Sequence, residues 1–275
     1  MSSPQVLLKV ENVCQQFGDN LVLRDVNVEI ENIEGRGQVV AILGPSGVGK
    51  TQFFMILAAL RKAASGKVLI GQELKPVRNG QVGVVFQNYY IDPWLTVMQS
   101  IIRAGKQTGL SAKQSREKGM SLLGKFGLTE RKDYYPAQLS GGQRQRIAIV
   151  EQLMCSEHFL LMDEPFSGLD YKAKQDACAL INEVAHDQTD GQDNTVIFVT
   201  HDIETALMAA DRIWFMGRDR DAEGKIVPGA RIVEIADLVA EGIAYQPDVQ
   251  FSPKFLQLAQ VIKERFCDPK GPYTS

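Results

Sequence analysis

At 275 residues the chain is long enough for a sizeable core, and 44% apolar with 23% charged residues is the balance of an ordinary globular protein. A formal net charge of −3 argues against a nucleic-acid partner gripped through phosphate contacts. The opening "MSSPQVLLKVEN" lacks the basic and apolar regions of a signal peptide, and no apolar run approaches the ~18–20 residues of a membrane span. Work at a membrane would therefore need a partner. Residues 5–35 are predicted to form antiparallel strands, because Val26, Val28 and Ile30 alternate with Asn27 and Glu29 between the turn signals "FGDN" and "EGRG". "QVVAIL" then reads as a buried strand, followed by a glycine-rich loop and by "TQFFMILAAL" with helical length. Short apolar strands recur at "VGVVF" (82–86), "HFLLM" (158–162) and "NTVIFV" (194–199), the mark of a parallel sheet covered on both faces.

Between 95 and 155 the strand signal gives way to "LTVMQSIIRA", "SAKQSREKGMSLLGKF" and "GQRQRIAIVEQLM", which read as helices inserted into the sheet domain. "AHDQTDGQDN" (185–194) and "MGRDRDAEGK" (216–225) read as solvated connectors. After about 228 the chain ends in an amphipathic "FSPKFLQLAQVIKERF", where Phe255, Leu256, Ala259 and Ile262 are expected on one face. This tail is expected to be a docking segment. Cys14, Cys155, Cys178 and Cys267 form no CxxC pair, and His158, His186 and His201 have no metal-ligand spacing, as in a reduced cytosolic protein.

Two motifs carry chemistry. Gly44, Gly49, Lys50 and Thr51 match G-x-x-x-x-G-K-[ST] between a predicted strand and a predicted helix. The glycines let successive N–H groups point inward, the helix N-terminus adds its positive end, Lys50 meets the β- and γ-phosphates, and Thr51 offers a hydroxyl to Mg²⁺. "FLLMDEP" places Asp163 and Glu164 just beyond a buried strand, where ligands of a doubly wound sheet bind. Asp163 suits the Mg²⁺ shell, and Glu164 suits orienting or deprotonating a water. A second glycine turn, "LSGGQ" at 139–143, heads a helix but carries no lysine.

Together these motifs resemble the ATPase subunit of ATP-binding-cassette (ABC) transporters over nearly the whole chain. The resemblance implies an α/β fold: a P-loop NTPase core with a mainly parallel sheet, an N-terminal antiparallel β subdomain and an inserted helical subdomain. It implies a cassette over 1–228, with the helical subdomain at about 88–155, and a short C-terminal extension over 229–275. Phe17 in "QQFGDN" is similar to the aromatic that stacks on adenine. Gly44, Pro45, Ser46, Gly47, Val48, Gly49, Lys50 and Thr51, with Gln52 following, form the Walker A loop. Gln87 in "VVFQNYYIDPWLTV" resembles the glutamine that senses Mg²⁺ and the γ-phosphate. Leu139–Gln143 matches the family signature, with Ser140, Gly141, Gly142 and Gln143 expected at the nucleotide. "SGLD" (167–170) resembles the D-loop and brings Asp170 to the site, and His201 in "FVTHDIETAL" resembles the histidine that contacts the γ-phosphate.

The implied ligands are ATP and Mg²⁺, with Thr51, Gln87 and Asp163 on the metal and Lys50, Glu164 and His201 in catalysis. The implied partners are a second cassette (the same chain or a paralogue), transmembrane permease subunits and a periplasmic or surface solute-binding protein. Two cassettes would meet head to tail, each signature closing on the other chain's nucleotide, at the cytoplasmic face of the inner membrane. "VVFQNYYIDPWLTV" and "HDIETALMAADRI" are similar to the nitrate, sulfonate and taurine branch of importers. Other classes fit less well: no N-K-x-D marks a guanine site, no mid-chain coiled coil marks a repair ATPase, and only one cassette is present. A soluble regulatory or repair ATPase without a membrane partner, or the ATPase of a lipid or export system, stays open. Two positions depart from the family pattern: Glu151 stands where an arginine is usual, and Gln52 where a second hydroxyl is common.

Overall fold

The computed structural model describes residues 5–33, 35–156, 158–186, 194–244, 246 and 248–274. Of the polar stretch expected at 185–194, residues 187–193 lie outside the described residues. The chain opens with β1 (Val6–Phe17), β2 (Asn20–Glu31), β3 (Gln38–Leu43), α1 (Lys50–Leu57), β4 (Ser65–Ile70), β5 (Lys75–Pro76) and β6 (Gly83–Val85). Three helices follow: α2 (Val97–Gln107), α3 (Ala112–Lys125) and α4 (Gly141–Cys155). Sheet and helix then alternate through β7 (Phe159–Asp163), α5 (Tyr171–Ala185), β8 (Thr195–Thr200), α6 (Ile203–Ala209) and β9 (Arg212–Gly217), before β10 (Arg231–Asp237) and α7 (Pro253–Cys267).

The strands make two sheets. One is antiparallel in the order β2-β1-β4-β5, and the other runs β10-β9-β3-β8-β7-β6, parallel except for β10. The mainly parallel core and the N-terminal antiparallel sheet are thus both present. β3 shows why it lies at the centre: every residue is buried, so its two faces feed two cores. Val40 and Ile42 join Phe53 and Phe54 of α1 and the apolar face of the antiparallel sheet, which sandwiches α1. Val39, Ala41 and Leu43 face the opposite core, shared with α2 to α7. Phe53 and Phe54 are fully buried, and truncating either to alanine would cost on the order of 3–5 kcal/mol.

Register positions the site. Leu43 pairs with Thr200, and Asp163 with Val199, so β3, β7 and β8 end side by side at their carboxyl ends. The residues that follow these ends are the phosphate loop, Glu164 and His201.

Two expectations need correction. Along α7, Phe255, Ala259 and Ile262 are buried, but Leu256 is 56% exposed. At 100° per residue it turns away from the i, i+4, i+7 stripe that its neighbour begins. The "MGRDRDAEGK" stretch is only in part a solvated connector. Met216 and Gly217 end β9, and Asp219 lies between Arg24 and Arg231, accepting two hydrogen bonds from the latter at 2.7 and 3.0 Å. Both arginines hold the Asp219 carboxyl below its ordinary range, Arg231 the more strongly.

Candidate nucleotide site

The loop 44–49 turns out of β3 into α1 by means only glycine supplies. Gly47 and Gly49 have φ of 76° and 120°, and a Cβ on Gly44 would stand 2.7 Å from the Met216 carbonyl oxygen. Gly49 is also the N-cap of α1 and offers no side-chain cap, so the first helical amides stay directed at the loop. Lys50 runs back along the loop. Its Nζ donates to the carbonyls of Gly44 (2.7 Å) and Pro45 (3.0 Å) and is buried. Burial pushes the Lys50 ammonium below its ordinary range, while Glu164 and Asp163 pull it back up. The Asp163 carboxyl is raised, first by burial, then by Glu164, against Lys50. The ends of the two motifs are thus close enough for Lys50, Asp163 and Glu164 to interact electrostatically.

Glu164 has an unusual backbone, with φ of +48° in a residue that has a Cβ. Two hydrogen bonds hold the bend: its N–H donates to Val199 O (3.0 Å), and Ser167 N–H donates to Glu164 O (3.1 Å). The bend brings Glu164 Oε1 to 2.9 Å from Nδ1 of His201, across from β8. With a carboxylate as acceptor, Nδ1 carries the hydrogen and is the donor of this bond. Asp202, next in sequence, caps α6 by accepting from the amides of Glu204 and Thr205, which fixes the turn that presents His201.

Gln87 follows β6, is exposed, and donates through Nε2 to Ser167 Oγ (2.9 Å), so its amide oxygen remains a ligand group. Ser167, in the segment that resembles the D-loop, is a site residue that motif reading passed over. So is Tyr89, whose hydroxyl donates to Pro165 O (2.8 Å), the same carbonyl that Gln145 of α4 approaches from the other side (3.2 Å). Thr51, Gln87 and Asp163 present hard oxygen donors, which fits a Mg²⁺ ion that keeps phosphate and water among its ligands. Thr51 is exposed on the first turn of α1, and the neighbouring Gln52 Oε1 is buried without a hydrogen-bond partner among the described residues. Pro45 and Ser46 lie at the open side of the loop, and Val48 is buried beneath it. Phe17 ends β1 at 42% exposure, with the Arg61 guanidinium 5.0 Å from its ring centroid. One face of the ring is thereby backed by a cation.

The signature is built differently. Ser140 caps α4, its Oγ accepting from Gln143 N–H (3.3 Å) while Gln143 Oε1 accepts from Ser140 N–H (3.0 Å). Ser140, Gly141 and Gly142 are exposed, and a Cβ on either glycine would meet nothing within 4 Å. Among the described residues, no hydrogen bond joins Ser140–Gln143 to the phosphate loop, Asp163, Glu164 or His201. A cavity of about 280 Å³ beside the signature is lined by Ser140, Gly142, Arg146, Leu169 and Asp176 and includes none of those groups. Asp170 caps α5 by accepting from Ala173 N–H (2.8 Å). Glu151 is buried in α4 facing Ser100 and Arg103 of α2, not the surface. Burial raises its carboxyl, against the lowering influence of Ser100 and Arg103.

Comparison with known proteins decides the family. The ABC transporter family model matches residues 23–167, from β2 through the carboxylate pair. The chain belongs to the ABC transporter family. A sulfate/thiosulfate import ATP-binding protein of Rhizobium meliloti is 36% identical over 219 residues, 77% of this chain and 57% of that protein. A protein of the same description from Chromobacterium violaceum is 40% identical over 225 residues, 78% of this chain and 59% of that one. The chain thus spans under two thirds of the length of these relatives. A dimeric ATP-binding cassette solved in a post-hydrolysis state with ADP and Pi shares 27% identity at a TM-score of 0.63, covering 84% of this chain and 99% of that one. The fold of this ABC chain is therefore that of the cassette ATPases, a P-loop NTPase α/β fold. No helix among the described residues is long and apolar enough to cross a membrane.

Proposed function

We propose that this chain is the ATP-hydrolysing subunit of an ABC importer. The observation that carries the reading is the Glu164–His201 hydrogen bond at 2.9 Å, placed at the aligned ends of β7 and β8 beside the phosphate loop. Lys50 and the loop amides would bind the β- and γ-phosphates, with Phe17 against the adenine. Thr51, Gln87 and Asp163 would hold Mg²⁺, which when bound neutralises phosphate charge. Glu164, aimed by His201 Nδ1, takes a proton from a water as that water's oxygen bonds to the γ-phosphorus. The bond from phosphorus to the β–γ bridging oxygen breaks, leaving ADP and phosphate. His201 keeps the carboxylate oriented and turns toward the γ-phosphate side.

The open signature supports a site shared between two cassettes, the same chain or a paralogue. Ser140, Gly141, Gly142 and Gln143 of one would close on the phosphates bound by the other, with Asp170 at the seam. The fold also supports a division into a cassette over 1–228, helices at about 88–155 inserted in it, and an extension over 229–275 that lends β10 to the sheet. Permease subunits and a solute-binding protein would complete the assembly, with this chain peripheral on the cytoplasmic face of the inner membrane. Its solute would be an oxyanion. The two relatives are described as importing sulfate and thiosulfate, and the segments "VVFQNYYIDPWLTV" and "HDIETALMAADRI" favour nitrate, sulfonate or taurine. Glu164→Gln tests the core of the reading. ATP binding should persist, an ATP-bound dimer should accumulate, and hydrolysis should fall about a hundredfold or more. Normal turnover in that variant would remove Glu164 from the chemistry. Purification from native membranes tests the transport role, since recovery without a multi-span subunit would favour a free-standing ATPase.

A further inference from the structure

The segment 268–274 does not trail away from the molecule. After α7 it folds back onto the carboxyl end of β9, where Pro272 O accepts the main-chain N–H of Arg218 (2.8 Å). Tyr273 is buried, its ring stacked on Phe266 at 4.4 Å and tilted against Phe215 of β9 at 6.1 Å. Arg220 fastens the same segment, donating to the carbonyls of Pro269 (2.9 Å) and Gly271 (3.1 Å) and to Thr274 Oγ1 (3.1 Å). The fit is close, since a Cβ on Gly217 would stand 2.8 Å from Pro272 O.

The other side of this strand end touches the phosphate loop. Met216 O packs so near Gly44 that no Cβ fits between them, and Arg218 Nη2 donates to Gly47 O at 3.4 Å. Gly47 is the left-handed residue at the apex of the loop. The Arg218 guanidinium on its carbonyl restrains the adjoining peptide, which would help hold the loop in a shape that presents its amides to a phosphate. Preorganisation of this kind raises affinity by removing an ordering cost from binding.

We infer that Arg218 is a positioning residue of the nucleotide site, and that the C-terminal segment around Pro272 and Tyr273 sets it. The inference rests on the reading of 44–51 as an ATP site. It gives the C-terminal segment a role in nucleotide affinity, beyond docking to the body of the chain.

The test uses the whole 275-residue chain and ATP titration, with melting in the absence of nucleotide as the control for folding. Arg218→Ala should weaken ATP binding about tenfold, the usual loss for a hydrogen bond from a charged donor. Arg218→Lys, which still donates, should recover most of it, and amide exchange across 44–49 should quicken in the alanine variant alone. Tyr273→Ala should weaken ATP in the same direction by a smaller factor. Lys50→Ala is the reference and should abolish binding. If Lys50→Ala loses ATP while Arg218→Ala binds it as the parent does, the inference is overturned and the site reading stands. If Lys50→Ala binds normally, the site reading falls and takes the inference with it. If Arg218→Ala weakens ATP but a folded Tyr273→Ala does not, the role given to the C-terminal segment is overturned.

Discussion

The chain carries two glycine-rich turns at helix starts, and they differ in what makes glycine necessary. In the phosphate loop the chain's own geometry requires it. Gly47 and Gly49 have φ of 76° and 120°, and Gly44 lies against the main chain of Met216. In the signature, Gly141 and Gly142 are ordinary helical residues with open space where a Cβ would be. Glycine in a helix is less stable than alanine by up to about 1 kcal/mol, and no packing among the described residues accounts for that pair. That open space is the physical case for the proposed site completed by a second cassette.

The contrast can be broken most severely at Gly44. Gly44→Ala should lose ATP binding and destabilise the chain by about 1–3 kcal/mol, because the new methyl displaces main chain. Calorimetry and ATP titration would both register it. Gly142→Ala should do the reverse for stability. Melting should stay level or rise, monomer binding of ATP should be unchanged, and hydrolysis should drop at least about tenfold. A Gly142→Ala chain that hydrolyses normally would end the argument for closure in trans.

The strand feeding the phosphate loop offers a pH handle that the signature lacks. Asp211 is buried, accepts the first amide of β3 beyond Gln38 through Val39 N–H (2.7 Å), and faces Arg36, Arg212 and Asp237. Burial raises its carboxyl from 3.8 to about 6, against the Val39 bond and Arg36. The folded chain thus keeps a proton that the unfolded chain releases between about pH 4 and 6. Stability from this group is present at the acid end and is lost as pH rises through 6, by on the order of 3 kcal/mol at most. The difference in melting between the parent and Asp211→Asn should shrink or reverse across that window and level off above it. A constant difference would mean Asp211 does not titrate there. The smallest loss of stability is at Ser140→Ala, which removes half of a capping box and should cost about 1 kcal/mol by denaturant titration.

Legibility followed the reach of the forces involved. β3, β7 and β8 could be read because burial on both faces leaves unbroken apolar runs, and the phosphate loop because its residues are contiguous. β9 was obscured by the charged run after it, and β4 by its three exposed leading residues. The Arg24–Asp219–Arg231 cluster joins residues 195 positions apart and has no local signal. Ser167, Tyr89 and Arg218 were missed for the same reason, since each acts by touching another loop. Leu256 was misplaced by reading an apolar cluster without its angular spacing. The Glu164–His201 pair lay between these cases. Both residues stood out in the sequence, but their meeting depends on the strand register.

The left-handed backbone at Glu164 has a consequence for anyone redesigning this protein. A non-glycine residue held there is strained by about 1–3 kcal/mol. A search for stabilising substitutions would therefore arrive early at position 164 and favour glycine or asparagine. Such a protein would melt higher and keep its phosphate loop, yet lack the carboxylate that the proposed mechanism sets against water. On the proposed mechanism, robustness and turnover are set against each other at a single backbone position, and the strain at Glu164 is a reason to leave it alone.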